Sequence, residues 1–162
     1  PWVSDKWIWI PLYALLIYMM VKHEKGNLLV TFIGIGLLIL ISDQVASGIL
    51  KPYVGRLRPC YDPELMDSVH LLKGCGGQYG FASSHSSNSF AIAIFCWLLL
   101  KDHVKYIWLL IPWAATVAYS RVYLGVHFPG DIIMGALIGI GAGYLVYFLK
   151  LKLENLKLLR NG

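Results

Sequence analysis

Arg121, His127 and Asp131 stand in the pattern Arg-x5-His-x3-Asp within the stretch SRVYLGVHFPGD. A neutral imidazole is a nucleophile or base near neutral pH. An aspartate bonded to its other ring nitrogen fixes the tautomer and stabilises the imidazolium that forms. The spacing lets Asp131 reach His127 if a helix begins near Pro129, a residue suited to a first helical turn. Arginine offers a planar fork that fits phosphate oxygens. Taken alone, the trio fits two readings. It is either a phosphate-handling site or a set of satisfied polar groups of the kind apolar helices carry.

Two further clusters separate these readings. Lys51 and Arg58-Pro59 form Lys-x6-Arg-Pro in KPYVGRLRP, and residues 82–85 read Ala-Ser-Ser-His. In order and internal spacing, the three segments resemble the tripartite signature of the type-2 phosphatidic acid phosphatase superfamily. That signature reads Lys-x6-Arg-Pro, Pro-Ser-Gly-His and Ser-Arg-x5-His-x3-Asp. The chain departs at Ala82, where the family has Pro, and at Ser84, where it has Gly. Neither change removes a reacting group.

The resemblance implies phosphoryl transfer through a phosphohistidine. His127 is the implied nucleophile, Asp131 its orienting partner, and His85 the proton donor to the departing oxygen. Lys51, Arg58 and Arg121 are implied to hold the phosphate oxygens. Ser83 and Ser84 open the following helix, where backbone N–H groups and the positive helix end suit an anion. Ser83 also fits an N-cap. Three permanent cations in place of a metal imply an activity that needs no magnesium and no other cofactor. The sequence has no Walker-type loop, no zinc-ligand spacing and no calcium-loop spacing among Asp62, Glu64 and Asp67.

These residues need elements to hold them. The chain has 162 residues, 57% of them hydrophobic and 14% charged. With a mean hydropathy of +0.62, it is more apolar than a soluble domain of this length. Apolar runs near the length of a bilayer core predict one all-α domain, a polytopic transmembrane helix bundle. Five spans are expected, at 7–22, 27–50, 86–100, 106–119 and 131–149, with a basic tail over about 150–162. Family members often have a sixth, N-terminal helix, so the start at Pro1 points to a truncated or processed chain. Trp2, Trp7 and Trp9 read as an interfacial belt, with an aromatic substrate clamp as the alternative. Asp43, within the second span, reads as a structural hydrogen-bonding group rather than a site residue. Gly135, Gly139 and Gly143 form a small-residue face for close packing within the chain, with dimerisation the alternative. Oligomeric state is left open.

Five alternating spans bring loop 51–84 and loop 121–130 to one membrane face, as a single site requires. Of the 14 Lys and Arg, eight fall on the other face: Lys22, Lys25, Lys101, Lys105, Lys150, Lys152, Lys157 and Arg160. The motif face has Lys51, Arg58 and Arg121 in motifs and only Lys6, Arg56 and Lys73 besides. The positive-inside rule then places the tail in the cytoplasm and the site outside. In a bacterium, this is the periplasmic or outer face of the inner membrane. The net charge of +5 suits anionic lipid head groups. No basic face with interleaved aromatics suggests nucleic acid. An oxidising outer compartment permits a Cys60–Cys75 disulfide, the alternative being two free thiols. Cys96 reads as a core residue, and His23, His70 and His103 as solvated turn residues.

With no room for a cap domain between Pro59 and Ser83, a lipid head group can enter from the membrane surface. By family analogy, undecaprenyl diphosphate fits best. Phosphatidylglycerophosphate, phosphatidic acid and lipid A phosphates are the alternatives. A non-enzymatic transporter or channel subunit is the reading from another class, and it gives no reason for the three spacings.

Overall fold

The computed structural model describes residues 6–24, 27–69, 71 and 74–161. Trp2, Lys25, His70 and Lys73 lie outside the described residues, as do the side chains of Lys6, Lys157 and Arg160. The described chain is helical: α1 Ile10–His23, α2 Leu28–Asp43, α3 Lys51–Val54, α4 Ser84–Leu100, α5 Leu110–Tyr123 and α6 Pro129–Asn161. Single 3-10 turns cover Lys6–Trp9, Pro59–Tyr61 and Ile107–Leu109.

Local chemistry sets the boundaries. Asn27 caps α2, its side chain accepting from the N–H groups of Leu29 and Val30 at 3.0 and 3.3 Å. A π-helical stretch, Gln44–Leu50, joins α2 to α3, so that Leu28–Val54 is one continuous rod. Gly55 ends it in the left-handed conformation, φ 63°, with its N–H on the Lys51 carbonyl. Ser83 caps α4 by accepting from the Ser86 N–H.

α4 is the central element. Phe95, Ala91, Ala93 and Leu100 on it are fully enclosed, packed by α1, α2, α5 and α6. The glycine face of α6 lies against it. A Cβ on Gly143 would sit 2.9 Å from the Ile94 side chain, and one on Gly135 or Gly139 would strike the Ser83 or Ser87 carbonyl oxygen. The stripe therefore serves packing within the chain.

By length and composition, Leu28–Val54 and Pro129–Leu156 are long and apolar enough to cross a membrane, while Trp7–His23 and Ser84–Leu100 are shorter apolar helices. The five helical rods match the expected spans in position. The basic tail is helical, α6 continuing through it to Asn161. Lys150 stabilises that extension, bonding Glu154 one turn on at 2.9 Å and Glu24 at 3.2 Å while only 4% exposed. The Asn27 N–H donates to Glu154, so the end of α6 is tied to the start of α2. His23 and His103 stack with ring centroids 5.5 Å apart, away from the motifs. Trp9 packs edge-on to Trp113, centroids 5.5 Å apart.

Candidate active site

The first motif lies on a short extended segment held by its own ladder. The Arg58 N–H donates to the Gln78 carbonyl at 3.1 Å and the Gly80 N–H to the Arg56 carbonyl at 2.9 Å. Leu57 faces Tyr79 between them. Cys60 and Cys75 are bonded just beyond the ladder, Cα atoms 6.3 Å apart. Two guanidinium groups are thus fixed on a loop that has little core of its own.

Arg121 sits in the last turn of α5, His127 in the connection that follows, and Asp131 in the first turn of α6. The expected helix start at Pro129 is present, and His127 Nδ1 lies 3.3 Å from Asp131 Oδ2. The same oxygen accepts from the Phe128 N–H at 2.8 Å. Asp131 is fully buried and His127 is 2% exposed. The other ring nitrogen, Nε2, lies 3.5 Å from Arg58 Nη1. A carboxylate can only accept and a guanidinium can only donate. The partners therefore select one tautomer, with the proton on Nδ1 and the lone pair of Nε2 facing the cations.

Lys51, Arg58 and Arg121 all act electrostatically on both His127 and His85. The three motifs therefore converge on one place. Burial first, then Arg58, Arg121, Lys51 and His85, push the His127 pKa down from 6.5 to about 2. The aspartate that should raise it loses to burial and the cations, so the unliganded ring is neutral. Arg58 is 8% exposed and donates to the Val126 carbonyl at 3.4 Å. Lys51 Nζ bonds the Ser47 hydroxyl at 3.1 Å, one helical turn back. Arg58 lies beside His127, and Lys51 and Arg121 act on the same two rings, an arrangement suited to a tetrahedral anion.

One expectation needs correction. The Ser83 N–H is committed to the Asp131 carbonyl at 3.0 Å, so it does not face an anion. Ser83 joins the second motif to the third instead. Ser84, the first residue of α4, lines a cavity with His85. Asp43 lines that cavity too, while the hydrogen bond from α2 to α4 is made by its neighbour, Ser42, to Ser87 at 2.6 Å.

Arg56 is a site residue that the sequence alone does not single out. Its guanidinium forms an ion pair with Asp131 Oδ1 and lies 4.9 Å from the Phe81 ring centre and 5.2 Å from that of Phe128. Arg56 falls inside the variable part of Lys-x6-Arg-Pro and reads there as one more loop cation. The signal for it is Asp131 itself, a buried carboxylate that a neutral histidine cannot balance. No group of three or more His, Cys, Asp and Glu side chains suited to a metal occurs among the described residues.

Comparison with known proteins fits this geometry. The family model described as PAP2 superfamily matches residues 30–154. A lipid A 4'-phosphatase of Bacteroides thetaiotaomicron is 41% identical over 93% of this chain and 68% of its own length. The lipid A 4'-phosphatase of Porphyromonas gingivalis is 36% identical over 90% of this chain and 62% of its own length. An undecaprenyl-diphosphatase of Sulfolobus acidocaldarius is 33% identical, covering 86% and 62%. The chain thus spans about two thirds of the length of these relatives. The crystal structure of a transmembrane PAP2-type phosphatidylglycerolphosphate phosphatase from Bacillus subtilis superposes with a TM-score of 0.65. It has 23% identity and covers 92% of this chain and 72% of that one, which establishes the fold alone.

Proposed function

The chain belongs to the PAP2 superfamily, and from that premise we propose that it is a membrane lipid phosphatase working through a phosphohistidine. The observation that carries the reading is the His127 ring, held by a buried carboxylate at Nδ1 and turned with Nε2 toward Arg58. The Nε2 lone pair forms a bond to phosphorus as the bond from phosphorus to the lipid oxygen breaks. His85 gives that oxygen its proton. Lys51, Arg58 and Arg121 neutralise charge on the transferring group. Water then breaks the phosphorus–nitrogen bond, His85 taking up its proton, and phosphate leaves. No step calls for a divalent cation.

Five helical rods cross the membrane, the site opens on the outer face, and α6 ends in the cytoplasm. The positive-inside bias of the sequence supports this arrangement. Among substrates, the lipid A class named for two relatives ranks ahead of undecaprenyl diphosphate, because their identity of 41% and 36% exceeds 33%. Undecaprenyl diphosphate, favoured by sequence alone, remains the second reading through the third relative.

The decisive test is a rapid acid-free quench of the purified protein turning over a ³²P-labelled lipid phosphate with chelator present. The wild type yields free phosphate and an acid-labile phosphoprotein. The His127→Ala variant yields neither. Full turnover by that variant refutes the nucleophile assignment.

A further inference from the structure

Beside His85 lies a cavity of about 240 Å³ among α1, α2, α4 and α5. Its walls divide by chemistry. Asp43, Asn88 and Ser89 give a carboxylate, an amide and a hydroxyl; Trp9, Tyr13 and Trp113 give three aromatic rings. A second cavity of about 240 Å³ shares Tyr13 and Ile92 with it, and its lining, which includes Leu16, Leu38 and Phe95, exposes only apolar surface.

Helix α4 gives the order. His85, Asn88, Ser89 and Ile92 fall at i, i+3, i+4 and i+7, one face of a helix. At 1.5 Å per residue, Asn88 and Ser89 lie roughly 5 Å along the axis from His85, and Ile92 roughly 10 Å. A ligand leading away from the phosphate site meets polar groups first and apolar groups next.

Two atoms in the polar layer are unsatisfied. Asn88 Oδ1, an acceptor, and Trp113 Nε1, a donor, are both buried and have no partner among the described residues. The large majority of buried side-chain polar atoms are paired, so an orphan calls for a reason. The side chains of Asn88 and Trp113 both line the cavity, and a small rotation of each brings an acceptor and a donor to a ligand that both donates and accepts.

We propose that this cavity is a sugar subsite, receiving the hydroxyl-bearing ring that carries the phosphate, with the lipid chains continuing into the apolar cavity. This rests on the lipid phosphatase reading and narrows its substrate class. A polyprenyl diphosphate puts a second phosphate or a hydrocarbon in this layer. The Asp43 carboxylate opposes the phosphate, and the orphan amide and indole gain nothing from the hydrocarbon. A hydroxylated ring donates to Asp43 and Asn88, accepts from Trp113, and lays its C–H faces on aromatic walls. A cavity below the roughly 300–1,000 Å³ of drug-sized pockets takes one ring, not a chain of them.

The test measures kcat/KM for the full chain in nanodiscs on an acylated glucosamine phosphate, phosphatidic acid and undecaprenyl diphosphate. Wild type prefers the sugar lipid to both others by at least about tenfold, the discrimination of a site built to hydrogen-bond its ligand. Trp113→Phe keeps the ring and loses the donor; Asn88→Leu keeps the bulk and loses the acceptor. Each lowers the ratio of sugar lipid to undecaprenyl diphosphate about tenfold. Thermal unfolding of ligand-free Asn88→Leu occurs at or above the wild-type temperature, because an orphan has been removed rather than a bond. Unmoved ratios, equal wild-type preference, or a clear loss of stability in Asn88→Leu overturn the subsite while leaving a working phosphatase. Release of phosphate from none of the three lipids overturns the phosphatase reading and the subsite together.

Discussion

Asp131 has two oxygens and three donors, and the division between them is informative. Oδ2 takes the Phe128 N–H and the His127 ring, whereas Oδ1 takes Arg56. Removing Arg56 leaves a fully buried carboxylate with no permanent countercharge, free to rotate away from His127. Arg56→Met therefore lowers kcat about 10- to 100-fold, the scale of a small misplacement of a reacting group, with KM little changed. Arg56→Lys recovers part of the loss. Steady-state kinetics on one lipid phosphate checks both. A second expectation concerns pH. As the proposed nucleophile, His127 must be neutral, and its lowered pKa keeps it neutral at pH values well below 6.5. The acid limb of kcat/KM is thus displaced downward. After burial, Arg58 is the strongest influence depressing that pKa, so Arg58→Gln raises it, and the acid limb moves to higher pH even as overall activity falls. A pH series on wild type and variant, analysed for limb position rather than height, gives the sign. Most of the candidate site is legible in the sequence, because the family resemblance picks out Lys51, Arg58, His85, Arg121, His127 and Asp131, and the fold brings their motifs together. Arg56 and Asp43 are not, because the ion pair of Arg56 with Asp131 and the place of Asp43 at the cavity are supplied only by the fold.

At the scale of elements, the site depends on one seam. α4 brings His85 and α6 brings Asp131, and the Ser83 N–H joins their ends. Along that seam, the Ser86 hydroxyl donates to the Ile132 carbonyl at 2.7 Å. A Cβ on Gly139 would strike the Ser87 carbonyl and lie 2.9 Å from the Ala91 nitrogen, both parts of the α4 backbone. Backbone cannot swing aside as a side chain can, so Gly139→Ala separates the helices. We expect a destabilisation of about 1–3 kcal/mol, the range of overpacked cores, with loss of activity in proportion. Gly141→Ala, where a Cβ meets nothing within 4 Å, has no such effect. Thermal unfolding in detergent compares the pair. The glycine period made this seam readable in advance. The π-helical stretch Gln44–Leu50 was not readable, since apolar composition carries no mark of an extra residue per turn. That stretch joins the segment carrying Asp43 at the cavity to the one carrying Lys51 among the phosphate cations.

At the scale of the whole molecule, orientation follows from charges left over after structure has used some. Lys150 is enclosed between Glu24 and Glu154, and Arg56 is spent on Asp131. Setting both aside, the face opposite the motifs is expected to keep Lys22, Lys25, Lys101, Lys105, Lys152, Lys157 and Arg160 against only Lys6 and Lys73 outside the motifs on the other. The bias therefore sharpens when structural charges are removed, which favours an outward site. The cysteines offer an independent readout, because Cys60 and Cys75 are joined on the motif face while Cys96 is buried in α4. On sealed right-side-out vesicles, an impermeant phosphine followed by an impermeant maleimide labels Cys60 and Cys75; without the phosphine it labels neither. On inverted vesicles the same reagents label nothing. The bridge closes a loop with a sequence separation of 15. For a loop of that size, chain entropy puts the stabilisation at about 3 kcal/mol. Reduction from the outside should thus also lower activity, by loosening the ladder that fixes Arg56 and Arg58. Labelling from the opposite side alone would reverse the orientation and place the phosphatase site in the cytoplasm.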